Sequence, residues 1–380
     1  MALLGVQASP AAAGGGHDFV NEARVFARVV ACGGDSAIPP GFDRAVVREH
    51  CKSLRPHIEA FRRRYVQRAR PFFEKWRPDD LPKRVVYPFG GGDLASALTT
   101  YPDATEITTI SLEHPGDPRR LSGLSSAKLV ENLAIYNQVA YALLERHDSA
   151  SKNMRKMERG PIPGQLSLFM TALTVYDLEP VSLKFFRIEP DGSLHYYTLA
   201  EIEALDDTKA GKLEGRWINT DYSVAFRNME LAFRSRAAGP EDPVIIHRHI
   251  AANLDNEHFG ESPLRKHLER KGKVAAMTKA ASFLLWMRDF TAIRDYLLDR
   301  MVFMASDATG ILPEDAAKAG FEQVTFGTFE EAFLDYARGS QSERMRALWE
   351  GQKKRGLPFR YGYPDMNGKL HLMITRPRAK

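Results

Sequence analysis

Gly90-Gly91-Gly92-Asp93-Leu94-Ala95 has the G-x-G-x-x-G/A spacing of a turn that lets backbone approach a ligand closely, and Glu113 follows about 20 residues later. An acid at that distance can accept hydrogen bonds from a pair of ribose hydroxyls. Gly90, Gly91, Gly92 and Glu113 together therefore suit a small molecule that contains a nucleoside. Asp93 narrows the choice. It stands where it would N-cap the next helix, and a carboxylate there repels the phosphates of NAD, FAD or a nucleoside triphosphate. A turn that serves only the fold satisfies the same spacing.

Other residues could also do chemistry. His247-Arg248-His249 puts two imidazoles on one face of a strand, and His258, with Asp255 or Glu257 nearby, could complete a metal site of three ligands. Polar side chains satisfied inside the protein give the same pattern. Ser306-Asp307-Ala308-Thr309-Gly310 follows a strand, where Asp307 either lines a site or shapes a turn; Asn253 and Asp255 follow another. Cys32 and Cys51 are the two cysteines of the chain. They are compatible with buried thiols, or with a bridge closing a loop of about 20 residues, worth roughly 3 kcal/mol in an oxidising compartment. No G-x-S-x-G elbow, P-loop or H-E-x-x-H occurs, which removes the commonest hydrolase, NTPase and zinc-protease readings.

The elements that would position these residues follow from periodicity. Residues 18–80 read as helical, with a break at 33–41 and a kink or stop at Arg70-Pro71. Arg84-Val85-Val86-Tyr87, the glycine turn, a helix over 94–100 and a β-rich run over 106–112 make a βαβ unit whose two strands should lie parallel and adjacent. Helices are expected at 126–146, 164–176, 263–271, 280–300, 329–337 and 341–353. Strands are expected at 222–233, where a helix also fits, and at 243–253, 274–277 and 301–305. A hairpin over 181–199 turns at Pro190-Asp191-Gly192, and a final hairpin pairs 359–363 with 369–375 through Asp365-Met366-Asn367-Gly368. The pattern predicts an α/β fold: a Rossmann-like, mostly parallel sheet with an antiparallel C-terminal hairpin, preceded by a helical N-terminal region. The domain reading is a disordered leader at 1–17, helices at 18–80, and the Rossmann-like domain at 81–380.

Composition sets limits. A chain of 380 residues with 44% hydrophobic and 27% charged residues can bury a large core, and no apolar run is long enough to span a bilayer. A net charge of +5 is small at this length. The basic cluster between Arg62 and Arg77 reads as a solvated helix face, so no nucleic-acid partner is expected. Residues 1–16 are Ala/Gly-rich and uncharged, without the basic start of a full signal peptide. As a signal-peptide remnant they would place the protein outside the cytoplasm, and otherwise it would be cytoplasmic.

The glycine loop, Glu113 and the terminal hairpin resemble the class I S-adenosylmethionine-dependent methyltransferases. The resemblance implies that Gly90, Gly92 and Glu113 hold S-adenosylmethionine, a cationic cofactor that tolerates Asp93. It departs in having Tyr87-Pro88 where an acid is usual, and in lacking (D/N)-P-P-(Y/F); Ala252-Asn253-Leu254-Asp255 is a loose stand-in. A second resemblance spans about 84–375. It rests on Tyr87-Pro88-Phe89-Gly90, residues 279–294, residues 306–313 and Gly362-Tyr363, and is to an uncharacterised bacterial family whose members are often exported. It implies no activity, and an extracytoplasmic location argues against a cytosolic cofactor. The expectation is a methyltransferase-like protein binding a nucleoside-containing ligand, with Asn253, Asp255 and Asp307 near its substrate. The alternatives are an exported, non-catalytic binding or structural protein, and a metal-dependent enzyme using His247 and His249.

Overall fold

The computed structural model describes residues 15–34, 38–147, 162, 164–209, 222–329, 340–362 and 370–378. The leader up to residue 14, the expected helix from residue 330 on, Tyr363 and the turn Asp365–Gly368 lie outside them.

Ten strands form one sheet: β1 (Arg84–Pro88), β2 (Glu106–Ser111), β3 (Leu178–Ile188), β4 (Leu194–Tyr196), β5 (Asn228–Ser235), β6 (Ile245–Ala251), β7 (Val274–Thr278), β8 (Met301–Ser306), β9 (Phe321–Gly327) and β10 (His371–Pro377). Their order is β4-β3-β5-β6-β2-β1-β7-β8-β10-β9. The five central strands are parallel and almost wholly buried, because helices cover both faces and each strand must be apolar on both sides. Antiparallel strands extend the sheet on either flank, β5, β3 and β4 beyond β6, and β10 beside β8. The expected βαβ unit is present, with Val85 opposite Ile107 and Tyr87 opposite Thr109 in parallel register.

Three expectations are corrected, and one strand was not foreseen. Phe359–Tyr361 is not a strand; the partner of β10 is β9, which the sequence reading missed. The alternation of Phe359 and Tyr361 instead serves packing, with both rings against Phe73 and the Tyr361 hydroxyl on the Ala305 carbonyl. Residues 280–300 are not one helix but two 3₁₀ turns, Ala281–Trp286 and Arg288–Phe290, before a helix Thr291–Arg300; the extended Met287 separates them. The chain also stays helical through Arg70-Pro71. A π-helical turn, Arg62–Val66, precedes the helix Gln67–Trp76, and its wider spiral makes room one turn ahead of a residue that lacks an N–H.

The basic face of this segment is largely solvated, as expected, with Arg63, Arg64, Arg68, Arg70 and Lys75 exposed, but part of it is tied to the protein itself. Arg62 donates to the carbonyls of Thr174 and Val175, Arg64 pairs with Glu145, and Arg70 lies over the Tyr176 ring. Cys32 and Cys51 form a disulfide across a Cα separation of 5.4 Å, which ties the end of the helix Val20–Val29 to the helix Arg44–Phe61. Among the described residues no helix is long and apolar enough to cross a membrane.

Candidate functional site

From β1 the chain builds outward in both directions, to β2 and β6 on one side and to β7 and β8 on the other. The carboxyl ends of β1, β2, β6 and β7 therefore splay around a crevice, the place where open α/β sheets bind ligands. A cleft of about 150 Å³ lies there. Phe89, Leu112, Leu254, Ala280, Leu284 and Phe290 make its walls largely apolar, and Gly91, Ser111, Glu113 and Asn253 add polar atoms. Among the described residues Glu113 is the one charged residue lining it.

Two wall residues hold strained backbone. Phe89 has φ of 60° and Ala280 has φ of 55° with ψ of −88°, conformations that cost a non-glycine residue of order 1–3 kcal/mol and persist only where neighbours impose them. For Ala280 the neighbours are visible. Its N–H donates to Asp307 Oδ2 at 2.7 Å, and the Thr309 hydroxyl lies 3.0 Å from its carbonyl and 2.5 Å from Asp307 Oδ1. Asp307, fully buried, thus clamps the cleft wall from behind and does not line the cleft.

The glycines divide in role. A Cβ on Gly90 would come within 2.8 Å of the Tyr87 ring, and one on Gly92 within 2.4 Å of Leu168. Both are demanded by the protein's own packing. Gly91, at φ of 51°, alone of the three lines the cleft.

Asp93 faces inward. Its carboxylate caps the helix Leu94–Thr100 through the Ser96 amide at 3.2 Å and accepts from the Tyr87 hydroxyl at 3.1 Å. Lys279 Nζ, at the end of β7, reaches the same carboxylate at 2.9 Å and the Ser96 hydroxyl at 2.6 Å. The ammonium also lies 4.7 Å from the centre of the Tyr361 ring and 5.6 Å from that of Tyr65. Both charges are almost completely buried, so the anion position of the turn is filled and neutralised from within.

Glu113 is the contrast. It is 6% exposed and lines the cleft, and its carboxylate has no hydrogen bond or ion pair among the described residues. Its backbone carbonyl is fixed by His249 Nε2 at 2.8 Å. A carboxylate buried to this degree normally has a partner, and the open side here is the cleft.

A second cleft, of about 300 Å³, shares Ala252 and Asn253 with the first and continues over the ends of β6, β5 and β3. His258 lines it. Asp255 accepts from the His258 amide at 2.9 Å and contacts its Nδ1 at 2.7 Å, and the Asn253 side chain donates to Asp255 at 2.6 Å. Burial opposes ionisation of Asp255, but these hydrogen bonds outweigh it and hold its carboxyl below the ordinary range.

His247 and His249 do not meet His258. Both are fully buried on β6, with the Thr109 hydroxyl between them, 2.9 Å from His247 Nε2 and 2.8 Å from His249 Nδ1. Phe169 packs against both rings. Burial pushes the His249 imidazole down to about 4, against the raising effect of its bond to the Glu113 carbonyl, and holds His247 far below the ordinary value. Among the described residues the one group with metal-ligand spacing is Cys32, His50 and Cys51, and both of its sulfurs are in the disulfide.

Of the residues singled out from sequence, the structure places Gly91, Glu113 and Asn253 along the first cleft and Asn253 and His258 along the second, while Asp255 lines neither. Sequence reasoning missed Lys279 and the strained Phe89 and Ala280, and it read His258 and Asp255 as candidate metal ligands where they form a hydrogen-bonded pair. A lysine directly after the buried run Val274–Thr278 was the available signal for Lys279. Comparison with protein-family models, with curated proteins and with solved structures finds no match.

Proposed function

We propose that this is a methyltransferase-like protein that binds a nucleoside-containing small molecule, with Glu113 accepting hydrogen bonds from the ribose. The observation that carries the reading is a buried, unpartnered carboxylate lining a cleft at the topological switch point. The apolar walls suit a base. Among the described residues no Lys or Arg lines the cleft, which disfavours phosphate-bearing ligands and favours a neutral or cationic one. A volume of about 150 Å³ is below the few hundred Å³ typical of drug-sized ligands, which argues against a dinucleotide. The sheet ends in an antiparallel pair, β10 and β9, beside β8, in place of the terminal hairpin of 359–363 with 369–375 on which the resemblance to class I methyltransferases partly rested.

S-adenosylmethionine fits this donor set, and when bound it supplies a methyl group already activated on a sulfonium. The protein's part is then to hold donor and acceptor in line, which supplies most of the rate of such a transfer. Ala280, clamped by Asp307 and Thr309, keeps the wall in place. His258, oriented by Asp255, is the residue placed to take a proton from an acceptor in the second cleft. The disulfide favours a second reading, a non-catalytic binder in an oxidising compartment, since such bridges are rare where thiols are kept reduced. Calorimetric titration with adenosine, S-adenosylmethionine, S-adenosylhomocysteine, NAD and ATP separates the cases. The reading expects binding of the first three and none of NAD or ATP. Tight NAD or ATP binding overturns it, and adenosine binding without transfer of a labelled methyl group to any acceptor favours the second reading.

A further inference from the structure

Among the described residues the second cleft is lined by Arg187, Arg227 and His258 and by no aspartate or glutamate. Two of these groups are already compensated. Arg187 pairs with Glu189 at 2.9 Å and lies over the Tyr197 ring, and His258 is held by Asp255. Arg227 is not. It is half-buried, and its guanidinium has no hydrogen bond or ion pair among the described residues. A planar fork of five donors left open beside a cleft of about 300 Å³ matches a carboxylate or a phosphate.

The fold explains how the arginine comes to be there. Arg227 follows the 3₁₀ turn Val224–Phe226 and immediately precedes β5. Since β5 runs antiparallel to β6, the start of β5 lies at the carboxyl end of β6, with Asn228 opposite Ile250. Asn228 is buried there, its amide donating to the Phe186 carbonyl at 3.1 Å and its oxygen accepting from the Ala251 amide at 3.2 Å. The residue beside Arg227 is therefore locked at the end of the strand whose next residues, Ala252 and Asn253, line both clefts.

We propose that the second cleft is an acceptor subsite that binds an oxyanion, carboxylate or phosphate, on Arg227, beside the nucleoside cleft. This rests on the reading of the first cleft given above, and it assigns to the acceptor the charge that the donor cleft lacks. A cationic or neutral donor and an anionic acceptor would lie on either side of Asn253, with His258 in the acceptor's cleft.

The test uses the full chain, titrated calorimetrically at low ionic strength with sodium phosphate and, separately, with succinate. Wild type should bind at least one of them, and which one binds tells phosphate from carboxylate. Arg227→Gln should weaken that binding roughly 10- to 100-fold, the loss of hydrogen bonds to a charged group. Arg227→Lys, which keeps the charge without the fork, should fall between, and Arg48→Gln, an exposed position on the helix Arg44–Phe61 that lines neither cleft, should bind as wild type. Adenosine titration of the same variants reports the first cleft separately and should be unchanged. Loss of adenosine binding alone, with anion binding still dependent on Arg227, would remove the nucleoside reading and leave the oxyanion site standing. Wild type that binds neither anion, or Arg227→Gln that binds them as tightly as wild type, overturns the proposal.

Discussion

Asp93 and Glu113 are carboxylates at the carboxyl ends of neighbouring strands, and they are buried to nearly the same degree, 2% and 6% exposed. One is closed and the other open. Asp93 has the Ser96 amide, the Tyr87 hydroxyl and the Lys279 ammonium, and needs nothing more. Glu113 has no such set among the described residues and borders a cleft. On the proposed reading, the difference separates a charge that serves the fold from one that would serve a ligand. Burial does not separate them; the presence of an internal partner does.

The largest expected effect lies on the closed side. Lys279→Met leaves Asp93 buried and uncompensated and should cost about 3–5 kcal/mol in urea unfolding. The double variant Asp93→Leu/Lys279→Met should recover much of that loss. A single variant costing under about 1 kcal/mol would show that the pair does not hold the turn.

Acid should reveal the closed interior next. His249 is held at about 4 in the fold against 6.5 for the free side chain, so the unfolded chain binds more protons between those values. Stability is complete above pH 6.5 and falls as pH drops, by about 3 kcal/mol for this residue by pH 4. Half-buried His114 and buried His267, both pushed down to about 3 chiefly by desolvation, steepen the slope in the same direction. Chemical denaturation from pH 7.5 to 4.5 measures it, and a flat profile would contradict the assignment of neutral buried imidazoles.

The open side should behave in the opposite way. Glu113→Gln removes an unpartnered buried charge and should leave stability unchanged or raise it by about 1 kcal/mol. A marked destabilisation would expose a structural role. Ala280→Gly should relieve the positive φ and gain about 1 kcal/mol, while loosening the wall and weakening ligand binding. Unchanged stability in thermal melts would mean that the Asp307 clamp carries no strain.

The open site was legible in sequence because it is local: one turn, one strand and one acid at a spacing set by a βαβ unit. The closed site was not, since Lys279 meets Asp93 only after β7 has crossed to lie beside β1. The same limit hid β9. Phe321-Glu322-Gln323-Val324 lacks a clean two-residue alternation, and its strand character comes from pairing with β10 fifty residues on. Residues 280–290 misled through an apolar run that suits a helix, whereas the chain there must fold over the sheet edge in short 3₁₀ turns to bury Phe283 and Leu285. His247 and His249 were read correctly as sharing a face, but the face points into the core against Phe169.

Adenosine titration of wild type, Glu113→Ala and Asp93→Asn tests the contrast most directly, with urea unfolding on the same three proteins. Glu113→Ala should lose about 1.5–3 kcal/mol of binding and keep its stability, the cost of hydrogen bonds to a charged acceptor. Asp93→Asn should lose stability, because Lys279 is left buried without its counter-charge, while the folded fraction binds adenosine as wild type does. The reverse pattern, with affinity carried by Asp93 and stability by Glu113, would contradict the account.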